Sequence, residues 1–202
     1  MSQQELLTDV VATLQRLRIE FMLSGSHASS LQGEARATHD IDLVANLSAG
    51  DIVPLITAFQ GNRFYLSRSA VEDAIRLKRM FNLLEVSTGE KVDFWVLTDS
   101  PFDQSRFVRR RRIELANLSI DISTPEDTIL MKLLWCKQSG GSEKQLHDVV
   151  RVYELQADIL DSQYLAKWLR ELQVEELWQR VLERAEPYVP PDDTDGLPGI
   201  GT

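Results

Sequence analysis

The sequence predicts an α+β protein: a mixed sheet flanked by helices over residues 1–123, a helical C-terminal region over 124–186 and a disordered tail over 187–202. Three observations carry this reading. Short apolar runs rich in β-branched and aromatic residues alternate with helical patterns as far as Ile122. From Thr124 to Glu186 the spacing is helical, interrupted at Gly140-Gly141 and near Asp161-Ser162. Pro187 to Thr202 is rich in Pro, Gly and Asp and has almost nothing to bury.

Each element follows from its local pattern. Leu6, Leu7, Val10, Val11, Leu14 and Leu17 recur at helical spacing, which predicts an amphipathic helix over residues 3–17. Ile19 to Leu23 is a β-rich run that stops at the small-residue turn Ser24-Gly25-Ser26, and a turn or two of helix follows from His27 to Leu31. A strand is expected over 39–46, and Ser48 is placed to cap a helix over 50–60. Phe81 to Val86 and Lys91 to Leu97 flank Ser87-Thr88-Gly89-Glu90, a hairpin signal with Gly in its loop. A second strand pair is expected between Arg111 and Ile122. Thr124-Pro125-Glu126-Asp127 then opens a helix with Thr as cap, Pro at the first position and an acid three residues after the cap. The stretch at 122–124 is the natural boundary between the mixed part and the helical part.

Composition narrows the function classes. With 43% hydrophobic and 26% charged residues in 202, the chain reads as an ordinary globular protein able to bury a substantial core. Its net charge of −9 repels nucleic acid and anionic membranes unless a local basic patch reverses the field. Cys136 is the only cysteine, so no intrachain disulfide can form, and a reducing cytoplasm is the expected location. Set among Leu133, Leu134 and Trp135, it reads as an inert core thiol. The start lacks a signal-peptide pattern, and no apolar stretch is long enough to span a bilayer.

The chemistry is concentrated in Asp40-Ile41-Asp42-Leu43-Val44, separated from Gly25-Ser26 by thirteen intervening residues. Residues two apart on a strand share a face, so both carboxylates leave the sheet on one side, roughly 7 Å apart. On a strand built for burial, two like charges raise each other's pKa unless a cation lies between them. An edge strand with acids on its outer face is the plainer alternative, and the apolar neighbours argue against it. Asp93, between Val92 and Phe94, is again an acid inside an apolar strand. Asp40, Asp42 and Asp93 together form a hard oxygen set suited to Mg²⁺ or Mn²⁺. The Gly25-Ser26 turn supplies a complementary half, since Gly permits close backbone approach and amides at a helix start point toward an anion.

In this order, Leu23-Ser24-Gly25-Ser26, Asp40-Ile41-Asp42-Leu43 and Lys91-Val92-Asp93-Phe94 resemble the nucleotidyltransferase superfamily that includes DNA polymerase beta. Arg36-Ala37-Thr38-His39 resembles the Arg-x-Thr-x stretch of minimal bacterial members and of abortive-infection (AbiEii-type) toxin relatives. The resemblance covers residues from about 20 to 97, and more loosely the helical end. It implies a nucleotidyltransferase-type mixed sheet and transfer of a nucleoside monophosphate from NTP to a hydroxyl, with pyrophosphate leaving. Asp40 and Asp42 would ligate two metal ions, and Asp93 would hold the ion near the acceptor hydroxyl. Gly25 and Ser26, with the amides that follow, would bind the triphosphate. In the toxin relatives a helical Lys and a later Asp join the site, and Lys132 and Asp148 match them here. The position before that Asp is usually basic in those relatives and is His147 in this chain.

Several residues have two readings. A helical projection sets Lys132 off the stripe Ile129, Leu130, Leu133 and Leu134, so it could face a cleft. Asp148 lies opposite Leu146, Val149, Val150 and Tyr153, where Lys144 and Arg151 would make ordinary surface ion pairs with it. Arg36 and Thr38 would serve the nucleotide, although Arg36 could instead close its loop on Glu34 or Asp40. Arg109-Arg110-Arg111-Arg112 is either a phosphate-binding patch or, the preferred reading, a strand edge protected by charge. His27 and His39 flank the site without a third ligand for zinc, and the four tryptophans read as packing residues. Two functions from different classes follow: an Mg²⁺-dependent nucleotidyltransferase, or a non-catalytic nucleotide-binding or interaction module with a cognate protein, such as one half of a toxin–antitoxin pair. The acceptor's class is open, with nucleic acid the less favoured choice.

Overall fold

The computed structural model describes residues 2–34, 40–115 and 118–186. Among these, Arg36, Thr38 and His39 do not fall, nor does the stretch expected as a tail; those expectations lie outside the described residues.

Helix α1 (Gln3–Arg16) starts at a capping box in which Ser2 Oγ accepts from the Glu5 amide while the Ser2 amide donates to Glu5 at 2.7 Å. It buries Leu6, Leu7, Val10, Val11 and Leu14, the stripe seen in the sequence. Strand β1 (Phe21–Ser24) leads directly into α2 (Gly25–Gln32), followed by β2 (Asp40–Ala45). Ser48 caps as expected, but what it caps is a 3₁₀ turn, Ala49–Asp51, and α3 (Ile52–Ala58) continues from it. Three elements were not foreseen: β3 (Phe64–Leu66), α4 (Arg68–Leu77) and α5 (Pro101–Val108). The hairpin is β4 (Met80–Glu85) with β5 (Lys91–Val96), its loop turning at Gly89 with φ +76. The second strand pair is β6 (Arg111–Leu115) with β7 (Leu118–Ile122).

Among the described residues seven strands form one mixed sheet in the order β3-β4-β5-β2-β1-β7-β6. Two of its pairings, β2 with β5 and β1 with β7, are parallel, and the rest are antiparallel. One face carries Ile41, Leu43, Val92, Phe94, Phe81 and Leu83 into a core closed by the apolar sides of α1, α3 and α4. Phe81 and Phe94 stack there with centroids 5.0 Å apart. The opposite face carries Met22, Val44 and Trp95, which pack with Leu97 and Phe107.

After β7 the chain is helical: α6 (Pro125–Gln138), α7 (Glu143–Gln156), α8 (Ser162–Glu171) and α9 (Glu175–Arg184). Thr124 caps α6 as its signature predicts, accepting from the Asp127 amide and donating to the Asp127 carboxylate at 2.7 Å. These helices share a second core built on Ile129, Leu133, Leu146, Val149, Leu165 and Trp168, which Phe102 of α5 joins. The two halves are tied at α2: Gln156 Nε2 donates to the Gln32 carbonyl at 2.8 Å, and Gln32 Nε2 donates to the Ser123 carbonyl. Among the described residues no helix is long and apolar enough to cross a membrane.

Three of the four consecutive arginines are neutralised where they stand. Arg109 faces Glu126, Asp127 and Asp161, Arg110 bonds Glu20 and Asp121, and Arg112 bonds Asp121 at 2.5 Å. Cys136 is a buried free thiol whose pKa is raised chiefly by that burial.

Candidate active site

The strand register explains which side chains meet. Ser24 pairs with Asp42, Asp42 with Asp93, and Asp93 with Asn82, so one polar row crosses β1, β2, β5 and β4 on a single face. The row toward the strand starts pairs Asp40 with Lys91, and the row toward the strand ends holds Met22, Val44, Trp95 and Met80. The three predicted acids therefore share one face of two adjacent parallel strands.

Their surroundings differ. Asp40 is exposed, Asp42 half-buried and Asp93 buried. Asp93 accepts from Asn82 Nδ2 and from Lys91 Nζ at 2.8 Å, and the same ammonium lies 3.2 Å from Asp40. Asp42 accepts from the Trp95 indole N–H at 3.1 Å. Burial pushes the Asp42 pKa up, the Trp95 hydrogen bond opposes this, and the Asp93 and Asp40 charges raise it further. Lys132 in the helical half acts in the opposite direction, holding the Asp42 proton affinity down.

Lys91 stands where a cation between Asp40 and Asp93 would stand. Among the described residues no three acid, histidine or cysteine groups close a metal cage by themselves. The donor set nevertheless suits a hard divalent ion: carboxylates on one face, one of them held at raised proton affinity, with a positive charge already bridging two of them. Such an ion would take the place of the Lys91 ammonium.

Gly25 is the first residue of α2, at φ +62, and a Cβ built on it would lie 2.1 Å from Asp42 Oδ2 and 2.8 Å from Asp42 Cβ. The glycine is thus required by the approach of a protein carboxylate, whereas the sequence suggested the approach of a ligand. Ser26 is the second residue of the eight-residue α2, at the helix start beside this contact. His27 follows it, half-buried, with its pKa lowered by burial.

Lys132 and Asp148 are brought together by α6 and α7. Lys132 Nζ donates to Asp148 at 2.7 Å and to Gln145 Oε1 at 3.2 Å, and the two residues are only 1% and 6% exposed. The expectation of surface ion pairs for Asp148 is therefore corrected. Arg151 instead pairs with Glu34 and Glu154, because α7 turns Asp148 toward α6 and leaves Arg151 outward. Two site neighbours were missed in the sequence. Asn82 has only its place in the β4 alternation to mark it. Trp95 was read as packing alone, yet its N–H binds Asp42; its spacing of two from Asp93 put it on the acid face.

No family model matches the chain, and no curated protein matches it. Among solved structures it is similar to an antigenic nucleotidyltransferase-like protein from Paracoccidioides brasiliensis, at 19% identity over 93% of this chain and 96% of that one, TM-score 0.52. It is also similar to ANT(2")-Ia in complex with adenylyl-2"-tobramycin, at 14% identity over 91% and 99%, TM-score 0.54. A third likeness is to the lincosamide antibiotic adenylyltransferase LnuA, lincomycin-bound, at 12% identity over 77% and 98%, TM-score 0.52. At these identities the likeness is one of fold. The chain has the nucleotidyltransferase fold, α+β with a mixed sheet and C-terminal helices.

Proposed function

We propose that this protein is an Mg²⁺-dependent nucleotidyltransferase that moves a nucleoside monophosphate from NTP to a hydroxyl acceptor. One observation carries the reading: Asp40, Asp42 and Asp93 lie on one sheet face, in register, beside the start of α2. Solved structures of the same fold include a lincosamide antibiotic adenylyltransferase and ANT(2")-Ia with adenylyl-2"-tobramycin, which supports a small acceptor.

A divalent ion bound by Asp40, Asp42 and Asp93 would supply charge neutralisation at the phosphates and at the attacking oxygen. The chain's own groups do the rest. Gly25, Ser26 and the first amides of α2 bind the triphosphate, as helix starts favour anions. Arg36 and Thr38 extend that contact in this reading. Asp93 takes the proton of the acceptor hydroxyl. The acceptor oxygen then bonds to the α-phosphorus, the bridging P–O bond to the β-phosphate breaks, and pyrophosphate leaves with the electron pair. Lys132, held by Asp148, keeps positive charge near Asp42 and the nucleotide. Lys91 yields its place between Asp40 and Asp93 and turns toward the phosphates.

The test is transfer of label from α-labelled NTP to a panel of hydroxyl compounds. Asp40→Asn combined with Asp42→Asn should abolish Mg²⁺-dependent transfer while circular dichroism stays unchanged; undiminished transfer in that variant sinks the reading. A second reading is kept because Lys91 already neutralises Asp40 and Asp93. In it the chain binds nucleotide without turnover and acts through a partner protein, as in a toxin–antitoxin pair. NTP-dependent stabilisation without label transfer to any acceptor would select it.

A further inference from the structure

We infer that the acceptor is a small, neutral or singly anionic molecule with a flat apolar body, seated in a cavity next to the acid row; this rests on the nucleotidyltransferase reading above. The cavity, of about 620 Å³, lies between the sheet and the helical half. That is within the range for sites holding one small molecule, about 300–1,000 Å³. Met80 and Trp95 form part of its wall, and they are the register pair that follows Asn82 and Asp93 on the same face. The acids are therefore one strand repeat away, roughly 7 Å. A molecule lying across Trp95 reaches Asp93 with a hydroxyl at its end.

The lining selects the body of the ligand. Trp95 and Trp135 lie with centroids 6.0 Å apart, and Phe102 packs on Trp168 at 5.0 Å. Such a wall favours a planar apolar group. Lys78, Arg79 and Arg106 bring three positive charges to this lining, which favours a carbonyl or carboxylate on the ligand.

Charge rules out a polycation. Lys78, Arg79 and Arg106 face only Asp103 and Glu171 on this lining. Asp103 is already engaged by Arg106 Nε at 2.6 Å and by the Thr98 hydroxyl. Among the described residues of this lining no free cluster of acids is left to receive several ammonium groups.

The test uses hydroxymethyl-naphthoate, which carries a hydroxyl and a carboxylate at opposite ends of a flat body, and kanamycin as a polycationic comparison. Three of the four tryptophans line the cavity and Trp178 does not, so their indole N–H signals in a ¹⁵N-labelled sample report its occupation. Titration of the naphthoate should shift the Trp95, Trp135 and Trp168 signals and leave Trp178 in place, while kanamycin moves none. Met80→Trp narrows the cavity from a residue that is 37% exposed, and should weaken the response at least about tenfold without altering NTP·Mg²⁺ binding. Leu134→Trp does the same from α6 should the first variant fold poorly. With NTP and Mg²⁺, label should appear on the hydroxymethyl oxygen. Silent indole signals, an undiminished response in both variants, or displacement by kanamycin alone would overturn the inference. Binding without label, with NTP·Mg²⁺ still raising Tm, removes the acceptor role and leaves the nucleotidyltransferase reading standing. Loss of NTP binding itself would instead remove that reading.

Discussion

Gly25 and Asp42 are in contact at the start of α2, so close that a methyl group on the glycine would lie 2.1 Å from Asp42 Oδ2. Turning the carboxylate cannot relieve this, because Asp42 Cβ is itself only 2.8 Å from the same point. The backbone adds a second constraint, since Gly25 sits at φ +62. Helix start and acid strand are therefore fixed to each other by the absence of one side chain.

Gly25→Ala should accordingly lower both stability and activity. The left-handed backbone alone costs a non-glycine residue about 1–2 kcal/mol. Displacement of Asp42 by an ångström would lower kcat/KM by about a hundredfold. Urea unfolding measures the first effect and label transfer the second. A variant with wild-type stability and rate would show that the contact positions nothing.

The Lys132–Asp148 pair gives a second prediction. Both side chains are buried, at 1% and 5% exposure, so removing one leaves the other charged and desolvated. Breaking such a pair costs about 3–5 kcal/mol, whereas replacing both partners with apolar groups is often neutral. Lys132→Met should thus be strongly destabilising, and Lys132→Met with Asp148→Leu should recover most of the loss in urea unfolding. If the double variant is stable yet has lost NTP binding in a thermal-shift assay, the pair serves the nucleotide as well as the fold.

Much of this fold was legible in the sequence, and what was missed has physical causes. The Thr124 cap was read because Pro125 and Asp127 follow it. Ser100-Pro101-Phe102-Asp103 carries the same signature and opens α5, with Ser100 accepting from the Asp103 amide. It went unread because it sits at the end of a strand and its helix has only eight residues. Strand β3, of three residues with no fully buried side chain, has too little periodicity to mark it. In the site, the spacing of Asp40 and Asp42 announced a shared face, but register across strands is set by pairing and not by local spacing. Hence Asn82 and the role of Trp95 emerged only with the sheet. The Lys132–Asp148 contact joins two helices, and the local pattern around Asp148 pointed to Lys144 and Arg151 instead.

Lys91 supplies a third prediction. Its ammonium lies 3.2 Å from Asp40 and 2.8 Å from Asp93, where it would compete with a divalent cation held by the acids. Lys91→Met removes the competitor and increases the negative field on the acid face. Mn²⁺ titration followed by electron paramagnetic resonance, with no nucleotide present, should show tighter binding by several-fold. Label transfer should fall in the same variant if Lys91 also meets the phosphates. Unchanged or weaker Mn²⁺ binding would mean that the ion does not occupy the space Lys91 fills.

Glu85, at the end of β4 and remote from the acids, should dominate a different measurement. Its carboxylate accepts from the Thr88 hydroxyl and amide, each at 2.7 Å, and from the Ser87 hydroxyl at 2.8 Å. The Thr88 hydroxyl, then its amide, then Ser87 lower the pKa from the ordinary 4.5 to about 2. A folded-state pKa below the unfolded one stabilises the protein above the unfolded value and loses that stabilisation as pH falls toward the folded one. The contribution of Glu85 should therefore be complete above pH 4.5 and decline between there and about pH 2. Glu85→Gln cannot ionise, so its urea midpoint should lie below wild type at neutral pH and converge with it through that acid window. Parallel midpoints for the two proteins down to about pH 2 would mean that the hairpin loop does not hold this carboxylate ionised.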